Sequence, residues 1–69
     1  MDIHESVLIE GEVYGVVGIL DNYGTLEVYG GSIVNSNASG YAISNGGTAY
    51  VAAGATTTPA NYGTILPLT

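Results

Sequence analysis

The chain has no lysine and no arginine among its 69 residues. Phosphate neutralisation needs those side chains, so nucleic acid is excluded as a partner, and an anionic membrane surface with it. Cysteine is absent as well, which removes disulfide staples and thiolate metal sites. Trp and Phe are missing, leaving Val, Ile, Leu and 6 Tyr as the bulky apolar groups. No apolar run approaches the roughly 20 residues that cross a bilayer. The opening Met1-Asp2-Ile3-His4-Glu5 is acidic where a secretory signal would be basic. Synthesis in the cytosol and delivery by assembly is therefore the expectation.

What charge there is lies at one end. The acids are Asp2, Glu5, Glu10, Glu12, Asp21 and Glu27, and residues 28–69 carry no formally charged side chain. One small domain over residues 1–69 is expected, with an acidic N-terminal segment (1–19) and a repetitive remainder (20–66). A chain this short buries a modest share of its surface alone, so neighbouring subunits are expected to supply part of its stability.

The 11 Gly residues interrupt every window long enough for a helix. β-branched residues and Tyr dominate instead, and short Gly/Asn breaks separate them, which reads as an all-β protein. Leu26-Glu27-Val28-Tyr29 alternates in, out, in, out, and Ala49, Val51 and Ala53 share one face. Ser6–Glu10 and Val16–Leu20 are more continuously apolar, as in strands covered on both faces.

A phrase recurs: Asn22-Tyr23-Gly24-Thr25-Leu26, Asn45-Gly46-Gly47-Thr48-Ala49 and Asn61-Tyr62-Gly63-Thr64-Ile65. The first spacing, Asn22 to Asn45, is 23 residues and the second, Asn45 to Asn61, is 16. Glu12-Val13-Tyr14-Gly15 is echoed by Glu27-Val28-Tyr29-Gly30. Unequal spacing suits an irregular solenoid whose circuits keep strand and turn while a loop, here Val34–Gly40, varies. The repeated phrase reads as a turn leading into a strand. Asn bonds nearby backbone, Gly takes the special conformation, and an apolar residue follows. On this reading Asn22, Gly24, Asn45, Gly47, Asn61 and Gly63 form the turns and stack. Leu26, Val28, Ile33, Val51 and Ile65 belong to the core.

The segment from Leu20 to Gly54, LDNYGTLEVYGGSIVNSNASGYAISNGGTAYVAAG, resembles the coils of right-handed parallel β-helices of the pectate-lyase-like kind. Similar runs occur in phage tail-spike and fibre proteins and in autotransporter adhesin passengers. The resemblance implies stacked parallel strands in virion-surface or extracellular structures. The fold expected is a short irregular right-handed β-helix completed by homo-oligomerisation, with a trimer the leading guess. A small β-sandwich or barrel is the alternative.

The residues that could carry chemistry are few. The G-G-x-G-x-D pattern of calcium-binding solenoids is not matched, because Ser32 and Thr48 follow the Gly pairs. Glu10, Glu12, Asp21 and Glu27 could supply paired carboxylates, but a chain this small has little room for a glycosidase cleft. The related polysaccharide lyases use a basic residue that this chain lacks. His4, the one imidazole, sits near the chain start without a constellation around it, and Asn37-Ala38-Ser39 is a glycosylation pattern without a secretory signal. No catalytic residue, metal site or cofactor is expected. Tyr14, Tyr29 and Tyr50 are candidate interface residues, since aromatics are enriched in interface cores. A non-enzymatic, self-assembling structural protein of a phage virion surface is expected, docked on copies of itself and on a capsid or other virion protein. The alternative is a fragment of a bacterial surface adhesin or matrix fibre, at the cell surface or outside it.

Overall fold

The computed structural model describes residues 2, 3, 5–15 and 19–68, with the side chains of Asp2 and of residues 12–15 outside that description. The chain is all-β, and no helix occurs among the described residues. Among the described residues eleven short strands follow in order: β1 (Asp2–Ile3), β2 (Ser6–Ile9), β3 (Glu12–Gly15), β4 (Leu20–Asn22), β5 (Thr25–Val28), β6 (Ser32–Asn35), β7 (Ile43–Asn45), β8 (Thr48–Ala52), β9 (Thr56–Thr58), β10 (Asn61–Tyr62) and β11 (Leu66–Leu68).

Each strand pairs with the strand three places along the chain. One sheet is ordered β1-β4-β7-β10, a second β2-β5-β8-β11 and a third β3-β6-β9. All eight strand pairings are parallel. The chain thus visits the three sheets in turn and comes back to the first. Hairpins, which a small sandwich or barrel would need, are not among these pairings.

Circuits differ in length. From Ser6 to its partner Thr25 is 19 residues, and from Thr25 to its partner Thr48 is 23. Most of the excess lies between β6 and β7. Gly15 pairs with Asn35 across 20 residues, whereas Leu20 pairs with Ile43 across 23. The variable loop is therefore 36–42, while Val34 and Asn35 belong to the strand before it.

A two-residue period sorts side chains between interior and surface. Leu26, Val28 and Ile33 are fully buried, together with Ile3, Leu20, Ala42 and Ile43, and these form one core. Val51 and Ile65 are half-buried and pack against it. The stacking is residue on residue: Val7, Leu26 and Ala49 are successive partners, as are Ile9, Val28 and Val51.

One expectation needs correction. Ser6–Ile9 is not covered on both faces, because Leu8 between Val7 and Ile9 points outward with over half its surface exposed (54%). A sheet wrapped around a core has one inner face, so a strand in it alternates even where its sequence is continuously apolar. Of the run Val16–Leu20, residues 16–18 lie outside the described part; Ile19 is buried, and Leu20 opens a strand that runs to Asn22.

Candidate functional site

The repeated phrase occupies the corner between the first and second sheets. Counting by two from Leu20 and from Ile43 brings Asn22 and Asn45 to the inside, and the two are register partners. Both are buried. The Asn22 amide Nδ2 donates to Asn45 Oδ1 (2.8 Å) and to the Thr48 carbonyl (2.8 Å). Asn45 Nδ2 in turn donates to the Thr64 carbonyl at 2.6 Å. Each carboxamide oxygen accepts the backbone N–H two residues on, Gly24 N to Asn22 Oδ1 and Gly47 N to Asn45 Oδ1, both 3.2 Å. That is an Asx turn, and it bends the chain from one sheet into the next.

Backbone bonds carry the ladder around the same corner. Tyr23 N donates to the Ile3 carbonyl (2.7 Å), Gly46 N and Gly47 N both donate to the Asn22 carbonyl (2.8 and 2.9 Å), and Thr48 N donates to the Gly24 carbonyl (2.9 Å). Gly47 sits so close on Gly24 that an added Cβ would strike the Gly24 carbonyl. No buried side-chain nitrogen or oxygen among the described residues lacks a partner. Satisfied in this way, the carboxamides cost the interior little and fix the circuits against sliding.

The third copy of the phrase is built differently. Asn61 pairs with Ile43, not Asn45, so it takes the position of Leu20 and Ile43. Its Oδ1 accepts from Ile43 N (3.2 Å) and its Nδ2 donates to Thr57 Oγ1 (2.8 Å). From Ser44 to Tyr50 is six residues, whereas their partners Tyr62 and Leu66 are four apart. The corner has lost two residues, and Gly63 arrives where a third ladder Asn would stand. There φ is +89°, and an added Cβ would meet the Asn45 carbonyl. The Asn ladder has two rungs.

The Glu12–Gly15 and Glu27–Gly30 echo is also not a structural equivalence. Glu12 pairs with Ser32 in the third sheet, while Glu27 pairs with Leu8 and Tyr50 in the second. The same four letters serve different walls, so Tyr14 and Tyr29 are not stacked partners. The Tyr14 side chain lies outside the described residues, as does His4. Tyr29 is exposed (47%) with its hydroxyl 3.5 Å from Glu27 Oε2, and Tyr50 is half-buried.

Sequence reasoning put Asn35 in the variable loop, and the structure puts it inside. Its Nδ2 donates to the Tyr41 carbonyl (3.0 Å) and its Oδ1 accepts from Asn37 N (2.9 Å), which clamps the base of the loop 36–42. Counting by two from Ile33 would have found it. Tyr41 and Tyr62, both exposed, meet at the sheet surface with ring centroids 5.5 Å apart and planes tilted by 52°.

The outer face of the second sheet carries a Ser6, Thr25, Thr48 column like those of its neighbours and, beside it, a second column that differs. Leu8, Glu27, Tyr50 and Leu66 are consecutive register partners and form one outward column. The described outward residues of the third sheet are Ser32, Val34, Thr56 and Thr58, and those of the first are Asp21, Ser44 and Tyr62. Among the described residues, no group of three or more His, Cys, Asp or Glu side chains is arranged to hold a metal ion. No protein-family model, curated protein or solved structure matches the chain.

Proposed function

We propose that the chain is a short right-handed β-helix and a non-enzymatic, self-assembling structural protein, a small component of a phage virion surface such as a decoration, fibre or spike subunit. The observation that carries this reading is the in-register parallel stack of the described strands. Among the described residues, β1 and β10, β2 and β11, and β3 and β9 are the outermost strands of their sheets, each bonded on one side. Unpaired strand edges invite another chain, and natural proteins protect them with charge or cover. Here the strands at the C-terminal end carry no formal charge at all, and no lysine is available to guard them. Buried, fully bonded Asn rungs add to the reading, because they serve the rigidity of a stack and present nothing to a substrate.

The test is sedimentation of the purified protein across a concentration series, with electron microscopy of the same samples. Discrete oligomers or rods are expected. A folded protein that stays monomeric at every concentration overturns the reading.

A further inference from the structure

We propose that the outer face of the second sheet is a self-association surface, and that it takes a second copy of the chain running the opposite way along the stack. This rests on the self-assembly reading above and adds the face, the orientation and the pairing.

The column Leu8, Glu27, Tyr50, Leu66 has a leucine at each end, 54% and 40% exposed, with a carboxylate and a phenol between them. Inward neighbours Leu26, Val28 and Ala49 are buried, so the column itself faces out. A carboxylate in a column closed by two leucines needs a partner when that column is covered. The chain supplies no lysine or arginine for it. Within the column itself, the group able to donate to it is the Tyr50 phenol.

Orientation then follows from the column's order. Consider a two-fold axis that runs parallel to the strands, between Glu27 and Tyr50. It sets Leu8 of one copy over Leu66 of the other and Glu27 over Tyr50, twice by symmetry. Each phenol O–H can donate to the facing carboxylate, a charge-assisted bond, while the leucines close the ends. Tyr29, whose hydroxyl already lies near Glu27 in the same chain, flanks that contact. An axis along the stack would do the opposite. Two or three copies running side by side in the same direction around it would bring their Glu27 carboxylates together at one height with no cation between them. The trimer expected from sequence is therefore disfavoured for this face.

The absence of cysteine makes the test clean. Leu8→Cys and Leu66→Cys are prepared as separate proteins. Within one chain these positions are three strand spacings apart, roughly 14 Å. A mixture of the two variants is treated with a bismaleimide shorter than that span. Covalent dimers containing one chain of each are expected, with neither variant linking to itself. Sedimentation of Tyr50→Phe, folded by circular dichroism, is expected to show dimerisation weakened at least roughly tenfold. If the natural chain self-associates but the mixture does not link, or Leu8→Cys links to itself, this arrangement is overturned while self-assembly stands. A natural chain that is monomeric overturns both. If the natural chain is monomeric and a Leu–Arg strand peptide binds it, shifting the NMR signals of Glu27 and Tyr50, the face belongs to a basic partner and the second copy is refuted.

Discussion

Asn22 and Asn45 bond carboxamide to carboxamide across 2.8 Å in the interior, one circuit above the other. The bond is one of several that each amide makes, so its loss is not local. Asn45→Ala would leave the Gly47 N–H with the Asn22 carbonyl alone, take the carboxamide donor from the Thr64 carbonyl and take one acceptor from the buried Asn22 amide. Removing one partner from the buried Asn22 amide, together with the Thr64 contact, costs on the order of 1–2 kcal/mol. Urea denaturation should show that loss, and a change under about 0.5 kcal/mol, typical of surface substitutions, would mean the ladder contributes nothing.

Asn45→Asp separates the donor from the acceptors. The carboxylate keeps the oxygens that Asn22 and Gly47 N use but turns an acceptor on the Thr64 carbonyl. Burial disfavours the charged form, so the folded-state pKa of this Asp is raised above its unfolded value, ~3.9. A raised pKa means stability is retained below the unfolded value and lost as pH rises through the folded one. Relative to the natural chain at the same pH, the variant should lose least near pH 3 and most at pH 7. An equal loss at both would show that the position is open to water.

Gly63 is the point where the ladder ends against backbone. With φ at +89° and the Asn45 carbonyl where a Cβ would stand, Gly63→Ala should lose roughly 2 kcal/mol or more. Gly54 is the control, since nothing lies within 4 Å of an added Cβ there. Gly54→Ala should be neutral or gain up to about 1 kcal/mol through the unfolded chain. Thermal melts that drop equally for both would show that the close approach at Gly63 is not what limits the site.

The legible part of the fold was whatever a period of two controls. Leu26, Val28 and Ile33 lie inside because alternation from either neighbour puts them there, and the 23-residue offset from Asn22 to Asn45 is itself the register. The third phrase misled because it straddles two sheets. Thr64 and Ile65 run into β11 much as Thr48 and Ala49 run into β8, while Asn61 is set by the first sheet, where the register is two residues different. A linear repeat does not say which wall owns it. The exposure of Leu8 and Leu66 was illegible for another reason: whether a face is covered is decided by distant elements.

The loop 36–42 should accept extra chain where the Asn22 corner does not. Asn37, Ala38 and Ser39 are exposed, and the loop base is held by Asn35 through the Tyr41 carbonyl and the Asn37 N–H. Three residues inserted between Ala38 and Ser39 lengthen a loop already closed, which costs under about 1 kcal/mol by loop entropy. The same insertion between Gly46 and Gly47 would pull apart two N–H groups that share the Asn22 carbonyl and displace Gly47 from Gly24. The second insertion should cost several-fold more in urea denaturation. The contrast depends on Asn35 holding the loop base. In an Asn35→Ala background the Ala38–Ser39 insertion should therefore become more costly, and purely additive losses would show that the clamp does not isolate the loop from the stack.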